Sequence, residues 1–303
     1  LEDHESDKIW TKGVIINSEI TSPSNYRALK HLDDWLKKNK IVGITGIDTR
    51  NLTNFIRDKG APKGTISFSK NNKVNIMKLV LNEEQQFLKD TAKNFAAERT
   101  PINHFRNLRD SKDSLLWDKD VWQEMVNLGW SGILIPEEYG GSDFGVAGIG
   151  VIFEELGRTL TPSPMFSTAV VCASLIKEAG NEDQKKEYLT KIASGDVTLA
   201  FALEESSRHS PTNLETVAKK DGDSYIVNGE KTFVLDGGFA DFLIIAADNG
   251  KGTSLFIANK DTKGIDIKAT PMVDSRNSAN ITFNDLKLSS SDLIGEENGS
   301  DQI

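Results

Sequence analysis

The spacing of apolar residues changes along the chain. Between residues 77 and 195 they recur every three to four positions, which is typical of helices with one buried face. After residue 198 they alternate with polar residues, and Asp-Gly, Asn-Gly and Lys-Gly pairs separate the alternating stretches, which predicts strands joined by tight turns. Helices followed by strands favour an α+β fold over a wound parallel sheet.

In residues 1–76 both spacings of apolar residues occur, the helical one and the alternating one. This mixture predicts a small, separate α/β region. Strands are predicted in "IWTKGVIIN", "IVGITGI" and "GTISFS", and a helix is predicted within "SPSNYRALKHLDDWLKKN". Asp48 is a candidate cap for a second helix that ends at Gly60. A fresh helical pattern starts at Met77, so we expect the first domain to end at residue 76.

Helices dominate the region from 77 to 197. Asn82 precedes an apolar stripe and is a candidate N-cap. In "DKDVWQEMVNLGW" the spacing places four residues on one buried face, namely Val121, Trp122, Met125 and Leu128. The segment "PMFSTAVVCASLIKEAG" is apolar on nearly every side, which predicts a buried helix. The glycine-rich residues 140–150 follow no strand and lack a phosphate-binding pattern, so we interpret them as a loop between helices.

Two strand ends in the region from 198 to 303 carry apolar residues where loops are usually polar. The stretch "YIVNGEKTFVLDGGFADFLIIAA" predicts two strands, yet Phe233, Val234 and Leu235 stand beside the glycine-containing connection. The segment "TLAFALEESSRHSP" has the same character. These ends would line a flat, largely apolar ligand; the alternative is ordinary core packing beneath a loop.

Composition narrows the classes of function. The chain has 303 residues and a net charge of −9, but residues 1–76 hold 13 Lys and Arg against 9 Asp and Glu. The remainder is therefore strongly acidic, which argues against nucleic acid as a partner. No apolar run reaches the roughly 20 residues that a membrane span needs.

The candidate reactive side chains are few. The single cysteine, Cys172, lies in an apolar run, which predicts a core thiol, excludes an internal disulfide and favours a cytoplasmic location. The four histidines lack metal-ligand spacing, so no metal site is predicted. No G-x-S-x-G motif is present, and hydrolytic chemistry has no support.

Residues 77–303 resemble the acyl-CoA dehydrogenase family. The motifs that carry the resemblance are, in order, "LNEEQQFLKDTAKNF", "WQEMVNLGWSGILIPEEYGG", "FEELGRTL", "LAFALEE", "DGDSYIVNGEKTFVLDGG" and "LIGEENG". Within the family the chain most resembles the smaller, divergent subunit of two-component enzymes such as pimeloyl-CoA dehydrogenase. The resemblance implies a helical N-terminal domain at 77–197 and a β-barrel-like middle domain at 198–303. It also implies α,β-desaturation of an acyl-CoA with FAD as hydride acceptor, and an electron-transfer flavoprotein as partner.

The resemblance also implies a set of cofactor-binding residues. At the threonine that usually meets the flavin this chain has Glu204, and the usual Trp-Ile-Thr is Phe233, Val234 and Leu235. Ser210 is matched as a substrate-binding residue as well. The full cofactor-binding set comprises Phe201, Leu203, Glu204, Glu205, Ser210, Phe233, Val234 and Leu235.

The catalytic glutamate of the family belongs to a C-terminal domain that this sequence does not reach, so no catalytic residue is assigned and we expect the chain alone to be inactive. The alternative is a non-catalytic partner subunit that completes a site with a paralogous dehydrogenase subunit.

Residues 1–76 resemble the N-terminal domain of the carbamoyl-phosphate synthase small subunit. The stretch "GIDTRNLTNFIRDKGA" carries this resemblance. The glutaminase residues of that enzyme lie in a later domain, so no ammonia-producing activity is expected. A carbamoyl-phosphate synthase fragment remains a third interpretation of the chain. We expect a junction of two truncated pieces near Met77, the alternative being a genuine fusion.

Overall fold

The structure is a computed structural model that divides into two compact units, Leu1–Asn75 and Ile76–Ile303. The structure describes residues 13–20, 31–59, 81–111, 116–211 and 214–297. The strand predicted in "GTISFS" and the start of the first predicted helix lie outside the described residues.

The described residues of the first unit, 13–20 and 31–59, form two short parallel strands and two helices. β1 (Gly13–Ile15) pairs with β2 (Val42–Ile44), and the helices are α1 (Leu32–Lys38) and α2 (Thr49–Lys59). The carboxylate of Asp48 accepts a hydrogen bond of 3.0 Å from the backbone N–H of Asn51, which confirms the predicted cap of α2.

The second unit begins with helices. They are α3 (Glu83–Arg99), α4 (Ile102–Asp110), α5 (Lys119–Asn127), α6 (Val146–Arg158), α7 (Ala173–Ala179), α8 (Glu182–Gln184) and α9 (Thr190–Ala193). Short 3₁₀ turns occur at Glu137–Tyr139 and Ser290–Asp292, and π-helical segments occur at Phe166–Cys172 and Lys185–Leu189.

The start of α3 follows the predicted capping pattern. The side chain of Asn82 accepts a bond of 2.7 Å from the backbone N–H of Gln85, and the Gln85 side chain accepts one of 3.1 Å from the N–H of Asn82. This reciprocal pair satisfies two N–H groups that have no partner within the helix. Downstream, Phe95 is buried and its ring lies 5.1 Å from that of Trp130. The predicted cap is therefore confirmed.

Two helical predictions are wrong. Leu128 is 43% exposed, because α5 ends at Asn127 and the chain turns away at Gly129, which has a φ of +77°. Val126 is buried in place of Leu128. Residues 140–150 are not wholly a loop, because α6 begins at Val146. The small residues suit this helix: a Cβ on Gly148 would lie 2.3 Å from the ring of Phe144.

An eight-stranded sheet follows the helices. Its strands are β3 (Leu199–Ala202), β4 (Val217–Asp221), β5 (Ser224–Leu235), β6 (Phe242–Asp248), β7 (Thr253–Asn259), β8 (Ile265–Pro271), β9 (Asn277–Ser289) and β10 (Leu293–Ile294). Their order is β10-β7-β6-β4-β5-β9-β8, and β3 pairs with β6 in parallel. A helical part followed by a sheet confirms the predicted α+β class.

One apolar cluster joins the helices to the sheet. It includes Cys172 and Ile176 from the helical part together with Leu199 and Ile244 from the sheet. Cys172 is fully buried, as predicted, and burial raises the pKa of its thiol far above the usual range. This shared core fixes the π-helical segment Phe166–Cys172 over β3.

Candidate functional site

A small cleft lies where β3 and β5 end beside the π-helical segment Phe166–Cys172. Its volume is about 170 Å³, and we call it the strand-end cleft. Its lining is mostly apolar and comprises Phe166, Ser167, Val171, Phe201, Leu203, Glu204, Phe233 and Leu235. The structure thus brings together five of the eight residues predicted from the sequence.

The hydroxyl of Thr168 hydrogen-bonds the helical wall of the cleft to β3. The Thr168 Oγ1 atom accepts a bond of 2.9 Å from the backbone N–H of Leu199 and donates one of 3.1 Å to its carbonyl oxygen. The next residues of β3 then place Phe201 and Leu203 at the cleft. The position of this wall is therefore set by backbone contacts at the start of the strand.

A bulge in β5 forms the opposite wall. The pairing with β9 shifts register between Lys231 and Val234, and Phe233 has a φ of +52°, in the left-handed region that bulky residues avoid. Its side chain is 59% exposed. The N–H of Thr232 donates to the carbonyl of Glu204 at 2.7 Å, so the two walls are hydrogen-bonded to each other.

Three of the sequence-predicted residues do not line the cleft. Val234 is 2% exposed and packs in the sheet core, because successive side chains along a strand point to opposite faces. Ser210 is partly buried in the loop after β3 and is not part of the lining. Glu205 turns away from the cleft into a buried ion pair.

That ion pair joins Glu205 to Lys231, whose side chain is completely buried. The Lys231 ammonium donates to Glu205 Oε1 at 2.7 Å and to the carbonyl oxygen of Leu203 at 3.0 Å. The same carboxylate accepts backbone N–H bonds from Glu215 and from Thr216. The pair therefore holds the chain in place directly behind the cleft.

The pKa values of the pair reflect burial and bonding. Burial opposes the ionisation of Glu205, but the bonds from Lys231, Thr216 and Glu215 outweigh it and lower its pKa below the ordinary value. Burial lowers the pKa of Lys231, and Glu205 counteracts this effect.

Glu204 is the one carboxylate in the lining. Its Oε1 atom is hydrogen-bonded to Nδ1 of His209, and 28% of the Glu204 side chain and 71% of the His209 side chain are exposed. A ligand in the strand-end cleft would therefore meet one ionisable group, which is itself bonded to a histidine open to solvent.

A buried polar network lies beneath the helical wall. The hydroxyl of Ser167 donates to Asp236 at 2.6 Å, and Asp236 is paired with Arg276. Burial raises the pKa of the Asp236 carboxyl above its usual range, against the opposing effect of Arg276. The network connects the π-helical segment to the end of β5.

The sequence interpretation missed Phe166, Ser167 and Val171. These residues belong to the segment predicted only as a buried helix. In the sequence, α7 and further helical segments separate them from the residues of β3. The available signal was the pair Ser167 and Thr168 inside an otherwise apolar run, since hydroxyls there need buried partners.

A larger groove of about 450 Å³ lies next to the cleft and shares Phe166 with it. Phe153, Leu160 and Val273 give it a mainly apolar lining, which also includes Arg276. It contains none of the residues predicted from the sequence. Among the described residues no cluster of His, Cys, Asp or Glu is suited to hold a metal ion, and no helix combines the length and apolar character required to cross a bilayer.

Family models match most of the chain. Residues 82–196 match the acyl-CoA dehydrogenase N-terminal domain, and residues 200–286 match the acyl-CoA dehydrogenase middle domain. Residues 1–66 match the CPSase domain of the carbamoyl-phosphate synthase small chain. Both resemblances inferred from the motifs are thereby confirmed.

Individual relatives agree with these models. Mitochondrial isovaleryl-CoA dehydrogenase of Pongo abelii is 30% identical over 239 residues, covering 72% of this chain and 54% of that protein. The short-chain-specific acyl-CoA dehydrogenase of Clostridium acetobutylicum is 31% identical over 229 residues, covering 72% and 59%. The structure of butyryl-CoA dehydrogenase from Megasphaera elsdenii has a TM-score of 0.65 at 27% identity, covering 74% and 61%. The chain thus spans little more than half the length of these relatives.

Proposed function

Residues 82–286 of the chain belong to the acyl-CoA dehydrogenase family, and on this premise we propose that the chain is a flavoprotein component acting in the α,β-desaturation of an acyl-CoA. In this proposal the strand-end cleft binds one face of the isoalloxazine ring of FAD. The observation that carries the proposal is the convergence of Phe201 and Leu203 with Phe233 and Leu235 on one apolar recess.

The residues of the cleft fit the face of a flavin ring. Exposed apolar side chains, led by the ring of Phe233, favour a flat aromatic partner. The volume of about 170 Å³ is below the roughly 300 Å³ at which small-molecule sites usually start, so the recess encloses part of a cofactor. At the edge of the ring the chain offers the carboxylate of Glu204 in place of a hydroxyl donor.

When bound, FAD supplies the acceptor for the hydride that leaves the β-carbon of an acyl thioester. The residues of this chain orient the ring: Phe233 and Leu235 cover it from β5, and Phe201 and Leu203 cover it from β3. Phe166 and Val171 exclude water from the helical side. We assign removal of the α-proton to no residue of this chain, and Ser210 remains a proposed substrate contact.

The proposal is tested by titrating the purified chain with FAD and following the quenching of flavin fluorescence. We expect saturable binding, and we expect Leu235→Lys to weaken it at least about tenfold, because a buried ammonium must lose its hydration. The matched control is Val217→Lys, which places the same charge on an exposed position of β4. Absence of binding, or equal effects of the two variants at unchanged melting temperature, contradicts the proposal.

A second candidate function is a non-catalytic partner subunit of a heteromeric dehydrogenase. The small volume of the cleft and the position of Glu204 favour it, because a carboxylate beside the ring opposes the charge gained on reduction. Co-expression with a full-length member of the family distinguishes the two candidates. Flavin bound to the chain alone supports the first, and flavin found only in the complex supports the second.

We propose an acyl-CoA and an electron-transfer flavoprotein as the further partners, and a paralogous dehydrogenase subunit in a homo- or hetero-oligomer. A cytoplasmic location remains a prediction that rests on the single cysteine. The third interpretation, a carbamoyl-phosphate synthase fragment, concerns residues 1–66. We place the proposed function in the second unit, because the strand-end cleft lies there.

A further inference from the structure

The lining of the strand-end cleft contains one charged side chain, that of Glu204. The other polar side chain of the lining, Ser167, already donates its hydroxyl hydrogen within the buried network. The electrostatic field that a bound ring experiences at this wall is therefore set mainly by one carboxylate. That carboxylate is hydrogen-bonded to His209, whose side chain is open to solvent.

Two charged sites close to this pair are already neutralised by partners. Behind the cleft, Lys231 is paired with Glu205. Beneath the helical wall, Asp236 is paired with Arg276. On the loop after β3, Arg208 is exposed, and the structure shows no ion pair for it among the described residues. Glu204 is thus the charged side chain that faces the cleft itself.

Hydride transfer gives the ring one proton and two electrons, so it adds one negative charge. An adjacent carboxylate disfavours that charge. From this arrangement we infer that the Glu204 carboxylate, which is hydrogen-bonded to His209, makes the strand-end cleft prefer oxidised over reduced FAD. The inference rests on the proposed function.

The test compares the Kd of oxidised FAD with that of dithionite-reduced FAD at pH 8, for the whole chain under anaerobic conditions. At pH 8 we expect the ratio of reduced to oxidised Kd to be about tenfold larger in the wild type than in Glu204→Gln, as for one charge roughly 10 Å away at an effective dielectric constant of 20. This factor corresponds to about 30 mV for a two-electron couple. Glu204→Thr serves as a second variant that removes the charge.

Asp221→Asn, which removes an exposed carboxylate at the end of β4, is the matched control and should leave the ratio unchanged.

Each outcome decides one claim. Equal ratios for the wild type and both Glu204 variants at pH 8 overturn the inference while FAD binding, and with it the proposed function, stands. If neither form of FAD binds to any variant, the proposed function fails and the inference fails with it.

Discussion

At the scale of single residues, Lys231 is the most constrained side chain near the cleft. Its ammonium group has no exposed surface and reaches Glu205 and the carbonyl oxygen of Leu203. A buried ion pair gains little over an apolar pair of the same volume, but removing one partner leaves an uncompensated charge in the interior. The single and double replacements of this pair should therefore differ.

We expect Lys231→Met to lower the free energy of unfolding by about 3–5 kcal/mol, because it leaves the buried Glu205 carboxylate without its cation. The double variant Lys231→Met with Glu205→Gln should lose less than the single variant. Urea unfolding measures both, with Lys219→Met on the exposed face of β4 as control. A double variant less stable than Lys231→Met alone would contradict this account.

The same pair predicts a pH dependence of stability. The pKa of Glu205 is lower in the folded chain than its ordinary value, so its carboxylate contributes stability above the ordinary glutamate pKa of about 4.3. That contribution is lost as the pH falls toward the lowered, folded-state pKa. Thermal unfolding between about pH 6 and pH 3 should show a steeper loss for the wild type than for Glu205→Gln. Parallel stability curves for the wild type and Glu205→Gln would contradict this role of the Glu205 carboxylate.

At the scale of elements, the bulge in β5 stores backbone strain at the cleft. Phe233 is bulky, has a positive φ and leaves most of its ring exposed, so neither the core nor the strand ladder explains its presence. A left-handed conformation costs a non-glycine residue roughly 1–2 kcal/mol. Strain of this kind often persists where a side chain is needed for binding.

Replacing Phe233 by glycine separates stability from binding. We expect Phe233→Gly to leave the free energy of unfolding unchanged or to raise it by up to about 1 kcal/mol, because glycine adopts positive φ without strain. The same variant should bind FAD more weakly, since it loses the exposed aromatic wall. Chemical unfolding and fluorescence titration measure the two effects. Loss of stability with unchanged affinity would show that the ring serves the fold.

Elements with local signals were predictable from the sequence. The cap of α3 follows from Asn82 and Gln85 alone, because a capping box is a contact between residues three apart. Leu128 was misplaced because the periodic pattern continues one residue past the end of α5 at Asn127, just before Gly129 turns the chain.

The cleft was predictable only in part. Apolar strand ends in the sequence indicated Phe201, Leu203, Phe233 and Leu235, but alternation beyond the β5 bulge sends Val234 into the core. Glu205 has a partner 26 residues away, and the helical wall depends on contacts between Thr168 and Leu199. Such long-range pairings leave no local pattern. The predicted division at residues 76 and 197 stays a prediction.

At the scale of the molecule, the second unit depends on how its helices meet its sheet. The apolar core that contains Cys172 and Leu199 buries the surface between the helices and the sheet. Thr168 fixes the orientation of the helical segment on β3, because both backbone groups of Leu199 bond to its hydroxyl. Thr168 is fully buried, so water cannot replace these bonds.

We expect Thr168→Val to destabilise the second unit by about 2–6 kcal/mol, since it preserves shape but leaves the N–H and C=O of Leu199 buried without partners, at about 1–3 kcal/mol each. Thr168→Ser keeps the hydroxyl and should retain more of the stability than Thr168→Val. Amide hydrogen exchange at Leu199 provides a local readout, with faster exchange expected in the valine variant only. Equal exchange in both variants would contradict the role of the hydroxyl.

The contact between Thr168 and Leu199 also bears on self-association. The outward-facing N–H and C=O of an edge strand are a template on which a strand of another molecule can add, and such addition begins fibre growth. At Leu199 both backbone groups are already hydrogen-bonded to the Thr168 hydroxyl, so they are not open to pairing with a strand of another molecule. The residue that fixes one wall of the cleft therefore also covers the backbone hydrogen-bonding groups at the start of β3.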